Sequence, residues 1–428
     1  RLLLPFAAEG SGGAGRAVRC PRQEKVGMCS MPPRHLLRCL VAWCWCSAAA
    51  VATATGMSGA LREPYAGYCA HPPEAQQATL PGPLPEGTLA AAGLEFVGLQ
   101  VIFRHAARDL ANDQYCFSPM REAFAGCGVR TLVSFTGPGG HLAAPQPLVK
   151  RVQDAYPSTV GQPGGLPEGT PGCGKGMLLN EAAEQTHAFA EALRERYFRR
   201  MSVKVSFNSS HHLYSTDKDR TMGTLFLLQH YLFGREATGE LHAPQLVHTR
   251  PIDSDPWDLK HFCPRADRAR NLIHSASPEA VSSVFPDFAE RWRRAAGTDF
   301  KPSFKDCLLV AKCEHHKRLQ LPRGLEPNST LFHEALRVSL SFFQKGYTAD
   351  IEGMRLLVAP VLIELEDFML QQAEGTGPPV ALWATHDTTI HALLVSLGAW
   401  DGQWAPYTDA LLLETYRGRA GDARAFFR

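Results

Sequence analysis

The sequence predicts an α/β fold: a largely parallel sheet flanked by helices, with a mainly helical stretch inserted into it. Three observations carry this. Residues 97–103 form an apolar run that ends in Arg104-His105-Ala106-Ala107-Arg108. A second run, 380–384, leads into His386-Asp387-Thr388-Thr389 near the other end of the chain. Continuous apolar runs of this kind are strands buried on both faces, and ligands collect outside the carboxyl ends of such strands. Between the two runs lie long segments with helical spacing, as crossover connections require.

The chain has 428 residues, 45% hydrophobic and 20% charged, which is ordinary for a globular protein with room for a large core. Its formal net charge of +2 recruits neither nucleic acid nor an anionic membrane by bulk electrostatics. Any specificity for anions must therefore be local.

Residues 1–30 are rich in Gly, Ala and Arg, lack periodicity and read as non-native upstream sequence. From Met31 a short basic region precedes an apolar stretch at 39–52 and small residues at 53–56, the order of a secretory signal peptide or a short signal anchor. The stretch is shorter than the roughly 20 apolar residues that span a bilayer. Export would place Cys69, Cys116, Cys127, Cys173, Cys263, Cys307 and Cys313 in an oxidising compartment, where their wide spacing favours disulfides over zinc. Seven is odd, so one is expected to be unpaired or partnered with sequence outside this chain. Asn208 and Asn328 each head a glycosylation sequon.

Taken in order, residues 57–93 read as an irregular, Pro- and Gly-rich lead-in, and 94–103 as the first core strand. A Gly- and Pro-rich connection runs to about 176, and a helix follows at 180–199, with Arg194, Arg196 and Arg199 suited to its C-terminal end. Residues 203–207 alternate as a strand should, and Ser215-Thr216-Asp217 caps a helix at 222–233. Residues 234–353 read as the inserted helical lobe, with helices at 280–296 and 331–346. A helix at 354–372, a strand at 380–384, a helix at 388–397 and a strand at 410–416 complete a core made of 94–233 and 354–428, expected to be incomplete at its C-terminal end.

Two histidines, two arginines and an aspartate at converging strand ends suit a phosphate dianion. At this point the residues resemble the histidine acid phosphatases, the acid phosphatase and phytase branch of the histidine phosphatases. Arg104, His105 and Arg108 match that family's Arg-His-Gly-x-Arg-x-Pro block, and the run from Ser215 to Thr221 fits its Ser-Thr-Asp-x-x-Arg-Thr block throughout. The His386-Asp387 pair, with Thr-Thr and the helix beyond it, fits a third. Gln185 with Leu193–Tyr197, and Pro406-Tyr407 ahead of Glu414, are weaker echoes in the same order.

The resemblance implies a three-layer α/β/α core of the phosphoglycerate mutase-like kind and a phosphomonoester hydrolase with an acid pH optimum. His105 would be the nucleophile and Asp387 the general acid. Arg104, Arg108, Arg220 and His386 would bind phosphate, the arginines through forked donors that keep their charge in acid. No metal and no other cofactor is implied, because the arginines neutralise the phosphate. The implied substrate is a small phosphomonoester or phosphosugar, with no nucleic-acid partner and membrane contact only through an N-terminal anchor. Location would be secreted or lumenal. Cys173, Cys263 and the N-terminal segment lean toward the phosphoxylose phosphatase group. Two departures, Ala106 for the family glycine and Asp109-Leu110 after Arg108, motivate an alternative: a weakened or inactive phosphate- or phosphosugar-binding homologue. Neither His211-His212 nor His315-His316 has acidic or cysteine ligands at metal spacing.

Overall fold

The computed structural model describes residues 2–5, 80, 82–108, 135–136, 142–143, 148–152, 176, 178–199, 211–233, 245–260, 263–274, 287–313, 321–418 and 423–427. Strands are β1 (Leu2–Pro5), β2 (Leu94–Arg104), β3 (Phe135–Thr136), β4 (Leu142–Ala143), β5 (Leu148–Val152), β6 (His212–Ser215), β7 (Gln245–Thr249), β8 (Val380–Thr385), β9 (Ala410–Gly418) and β10 (Ala423–Phe427). Helices are α1 (Glu86–Ala92), α2 (Glu181–Leu193), α3 (Asp219–Phe233), α4 (Pro264–His274), α5 (Phe288–Ala296), α6 (Lys305–Lys312), α7 (Thr330–Thr348), α8 (Ile351–Glu374) and α9 (Asp387–Ser396).

One mixed sheet runs in the order β1-β10-β9-β2-β8-β6-β7-β5, and β3 pairs with β4 separately. Neighbours from β2 through β5 are parallel; β9, β10 and β1 add antiparallel edges. The last seven residues of β2 are all buried, as a central strand covered on both faces requires. Alternation divides them. Leu99, Val101 and Phe103 pack with Phe189 and Leu193 of α2 and Leu225 and Leu228 of α3. Ile102 faces the opposite layer with Trp383, Leu357, Leu365 and Leu393. Burying each such side chain stabilises the fold by about 1.5–3 kcal/mol. The three-layer α/β/α expectation holds.

Capping chemistry sets several boundaries. The Ser329 hydroxyl accepts from Phe332 N at 3.2 Å to open α7, and the Asp350 carboxylate accepts from Gly353 N at 2.9 Å to open α8. Helix α2 ends in a π-helical turn, Arg194–Phe198.

Two expectations need correcting, and others lie outside the described residues. The lead-in is not wholly irregular, since 86–92 is helical and Leu89 packs under the sheet. The helical insertion does not begin at 234, because Gln245–Thr249 pairs in parallel with β6. The strand expected at 203–207 lies outside the described residues, and His212–Ser215 is the strand that delivers Ser215. Residues 31–56, Asn208 and Asp109 also lie outside them. Asn328 is exposed in a turn. Among the described residues no helix is long and apolar enough to cross a membrane.

Candidate active site

Strand register assembles the site. Arg104 lies opposite Thr385, and Ser215 opposite Ala384, so β2, β8 and β6 end level with one another. Backbone bonds continue one step further, with His105 N donating to Thr385 O and Thr216 N to Ala384 O, each at 3.1 Å. His105, His386 and Thr216 therefore emerge side by side. Asp387 opens α9, and Arg220 sits in the first turn of α3.

His105 is 2% exposed. Its Nδ1 lies 2.9 Å from Ala106 O, an acceptor only, so Nδ1 carries the proton and Nε2 keeps its lone pair. Burial first, then Arg220, Arg104 and Arg108, hold its pKa well below the usual histidine value. The ring stays neutral and nucleophilic. The His386 ring stands edge-on to it, with centroids 5.6 Å apart.

The loop after His105 is tied down on both sides. Ala106 N donates to Thr224 Oγ1 at 3.0 Å and Ala107 N to Gln185 Oε1 at 2.8 Å. Ala106 is not among the residues with positive φ. The substitution for glycine thus costs no left-handed strain.

The three arginines have different resting partners. Arg104, fully buried, donates to Ala405 O at 2.6 Å, pairs with Asp387 Oδ2 at 3.0 Å and stacks 4.4 Å from the Tyr407 ring centroid. Arg108 forks onto Asp306, with Nη2 2.7 Å from Oδ1 and Nη1 3.2 Å from Oδ2. Arg220 pairs with no described carboxylate, and burial followed by repulsion from Arg108 brings its pKa down to about 10. Gly176, at φ +66°, packs against it; a Cβ there would lie 3.2 Å from Arg220 Nη1.

Asp387 accepts from Trp404 Nε1 at 2.9 Å as well as from Arg104. Burial pushes its carboxyl up, but Arg104 and Lys305 outweigh burial and hold it well below the usual carboxylate range. Lys305 Nζ lies 3.3 Å from the Trp404 ring centroid and 4.3 Å from that of Phe343. Burial lowers this ammonium to about 8. His386 Nε2 meets Thr216 Oγ1 at 3.0 Å and Asp258 Oδ1 at 3.4 Å, while Lys218 Nζ reaches the same Asp258 oxygen at 2.5 Å. Burial, Lys218 and Arg220 hold the His386 pKa well below the usual histidine value, so its ring is neutral.

All six predicted site residues thus meet at the strand ends. Sequence reasoning missed Asp258, Lys305, Asp306 and Trp404. Only Trp404 had a nearby signal, the Pro406-Tyr407 echo two residues on. Among the described residues no cluster of His, Cys, Asp and Glu has the arrangement to hold a metal.

No protein-family profile matches the chain. It is 26% identical over 286 residues to lysosomal acid phosphatase of Bos taurus, covering 63% of this chain and 64% of the relative. It is 36% identical over 263 residues to lysophosphatidic acid phosphatase type 6 of Bos taurus, covering 57% of each. The alignments thus span well under two thirds of the second relative and slightly under two thirds of the first. In structure it resembles the multiple inositol polyphosphate phosphatase of Bifidobacterium longum complexed with inositol hexasulfate, with a TM-score of 0.51, 10% identity, and 85% and 91% of the two chains covered. The chain is thus similar in sequence to acid phosphatases and in fold to an inositol polyphosphate phosphatase. Ala106 stands where the resemblance led one to expect glycine, but its backbone there is unstrained.

Proposed function

We propose that the chain hydrolyses phosphomonoesters through a phosphohistidine on His105. The observation that carries this is the fixed His105 tautomer: an Nδ1–H held by Ala106 O leaves Nε2 free beside three guanidiniums. Arg104, Arg108, Arg220 and His386 would hold the phosphoryl oxygens, and Nε2 would attack phosphorus in line with the leaving oxygen.

Asp387 would give its proton to the departing alcohol, then serve as carboxylate base for the water that hydrolyses the phosphohistidine. At rest it is in the base form, and the acid role needs the bound substrate. With Arg104 and Lys305 beside it the carboxyl is ionised. A bound phosphate neutralises those cations and pushes the carboxyl up, and acid pH supplies the proton. The unstrained Ala106 removes one motive for an inactive homologue.

The substrate class is a small phosphomonoester or phosphosugar. The names of the relatives, which mention lysophosphatidic acid and inositol polyphosphate, belong to those proteins and do not choose between such substrates. A secretory or lysosomal location is supported by the lysosomal relatives.

The test is p-nitrophenyl phosphate hydrolysis at pH 5 by the full chain and by His105→Ala, with an alkaline quench to trap labelled phosphohistidine. The parent should turn over and label, and the variant should do neither. Equal turnover by both would overturn the nucleophile assignment.

A further inference from the structure

Two of the three site arginines are already paired at rest. Arg104 is paired with Asp387 and Arg108 with Asp306, leaving Arg220 as the phosphate-binding arginine with no described carboxylate partner. Asp387 has a chemical task in the reaction proposed above. Asp306 has none. It comes from the first turn of α6, in the helical stretch, far in sequence from every phosphate-binding block. Its two oxygens meet Arg108 Nη1 and Nη2 in the forked geometry by which a guanidinium binds two oxygens of a phosphate. Arg108 is 7% exposed, so the pair is shielded from the solvent that weakens surface ion pairs.

We propose that Asp306 is an internal competitor for the phosphate subsite: it occupies the Arg108 fork at rest, and an incoming phosphate must displace it. Asp306 therefore sets the affinity of the site for phosphate esters and for the product, holding it weaker than the arginines alone would make it. The inference rests on the phosphatase reading for the identity of the subsite. It adds a residue that acts on specificity without touching the reacting atoms. A tight-binding product would stall turnover, so a carboxylate that reclaims Arg108 also favours release.

The probe is inorganic phosphate, titrated against the full-length protein and followed by 31P line broadening and by thermal shift, neither of which needs turnover. Asp306→Asn keeps the size and removes the charge; Asp306→Ala removes the fork altogether. Asp306→Glu restores the carboxylate. Both neutral variants should bind phosphate about tenfold more tightly, the size expected from losing one charge-assisted competitor. Their KM for p-nitrophenyl phosphate should fall by a similar factor without a rise in kcat, and Glu should return both values toward the parent. Weaker or unchanged binding in Asn and Ala would overturn the inference, because it would make Asp306 a prop for Arg108. If the folded parent and both neutral variants fail to bind phosphate, the phosphate-site reading itself falls, and this inference with it.

Discussion

Removing one hydrogen bond from Asp387 should move the alkaline limb of the rate profile. Trp404→Phe deletes the indole N–H that donates to Asp387 Oδ2 at 2.9 Å and keeps an aromatic ring beneath Lys305 and beside Phe343. That donor favours the charged carboxylate, so its loss raises the pKa of the acid. A hydrogen bond to a charged group contributes about 1.5–3 kcal/mol, and 1.36 kcal/mol is one pH unit, so the limb should move up by about 1–2 units. The assay is kcat against pH for two substrates. Glycerol phosphate has a poor leaving group that needs a proton, whereas p-nitrophenolate leaves without one. The alkaline limb for glycerol phosphate should shift upward in the variant, and that for p-nitrophenyl phosphate should shift less. A downward shift, or an equal shift for both substrates, would refute Asp387 as the acid.

Three further outcomes are expected. Ala106→Gly removes a buried methyl packed on Leu178, Ala182 and Leu227, so it should destabilise by about 1–2 kcal/mol in a urea melt without raising kcat more than about twofold; a large gain in kcat would mean that alanine strains the loop. Glu414→Leu strips the acceptor from the hydroxyls of Tyr197 (2.7 Å) and Tyr416 (2.6 Å), and should cost about 2–4 kcal/mol; an unchanged melting temperature would sink that account. His212 and His391 are both pushed by burial to about 3, far below the unfolded value. The unfolded chain takes up these protons near pH 6.5 and the folded chain does not, so stability falls as pH drops below that point, by on the order of 1–2 kcal/mol per histidine at pH 5. The urea midpoint should therefore drop between pH 7 and pH 5 and drop less in His391→Gln; a flat midpoint in the parent would contradict the burial of these rings.

The strand ends were legible because parallel central strands carry a distinctive signature. Residues 97–103, apart from Gln100, and 380–384 are apolar throughout, and each run gives way abruptly to polar and charged side chains. His212–Ser215 carries no strand pattern of its own, yet it pairs with β8. Its histidine fits there because His212 is half-buried against Phe368 and Trp383, a tertiary environment no local pattern encodes. Gln245–Thr249 was hidden for a similar reason, lying in a polar, Pro-rich neighbourhood. Asp258, Lys305 and Asp306 could not be found at all. A lone acidic or basic residue in a helical stretch looks like any solvated surface charge, and only packing turns it toward the site.

The order of strands in the sheet has a consequence for how the protein is made. β8 lies between β2 and β6, and it is synthesised long after both. Until residues 380–385 emerge, the facing edges of β2 and β6 lack the strand that joins them. Both edges are apolar or aromatic and carry unpaired backbone groups, the condition in which nascent chains recruit one another. Synthesis halted before that point would leave a polypeptide with nearly all of the helical stretch and no central zipper, so such fragments should depend on chaperones and be degraded rather than accumulate.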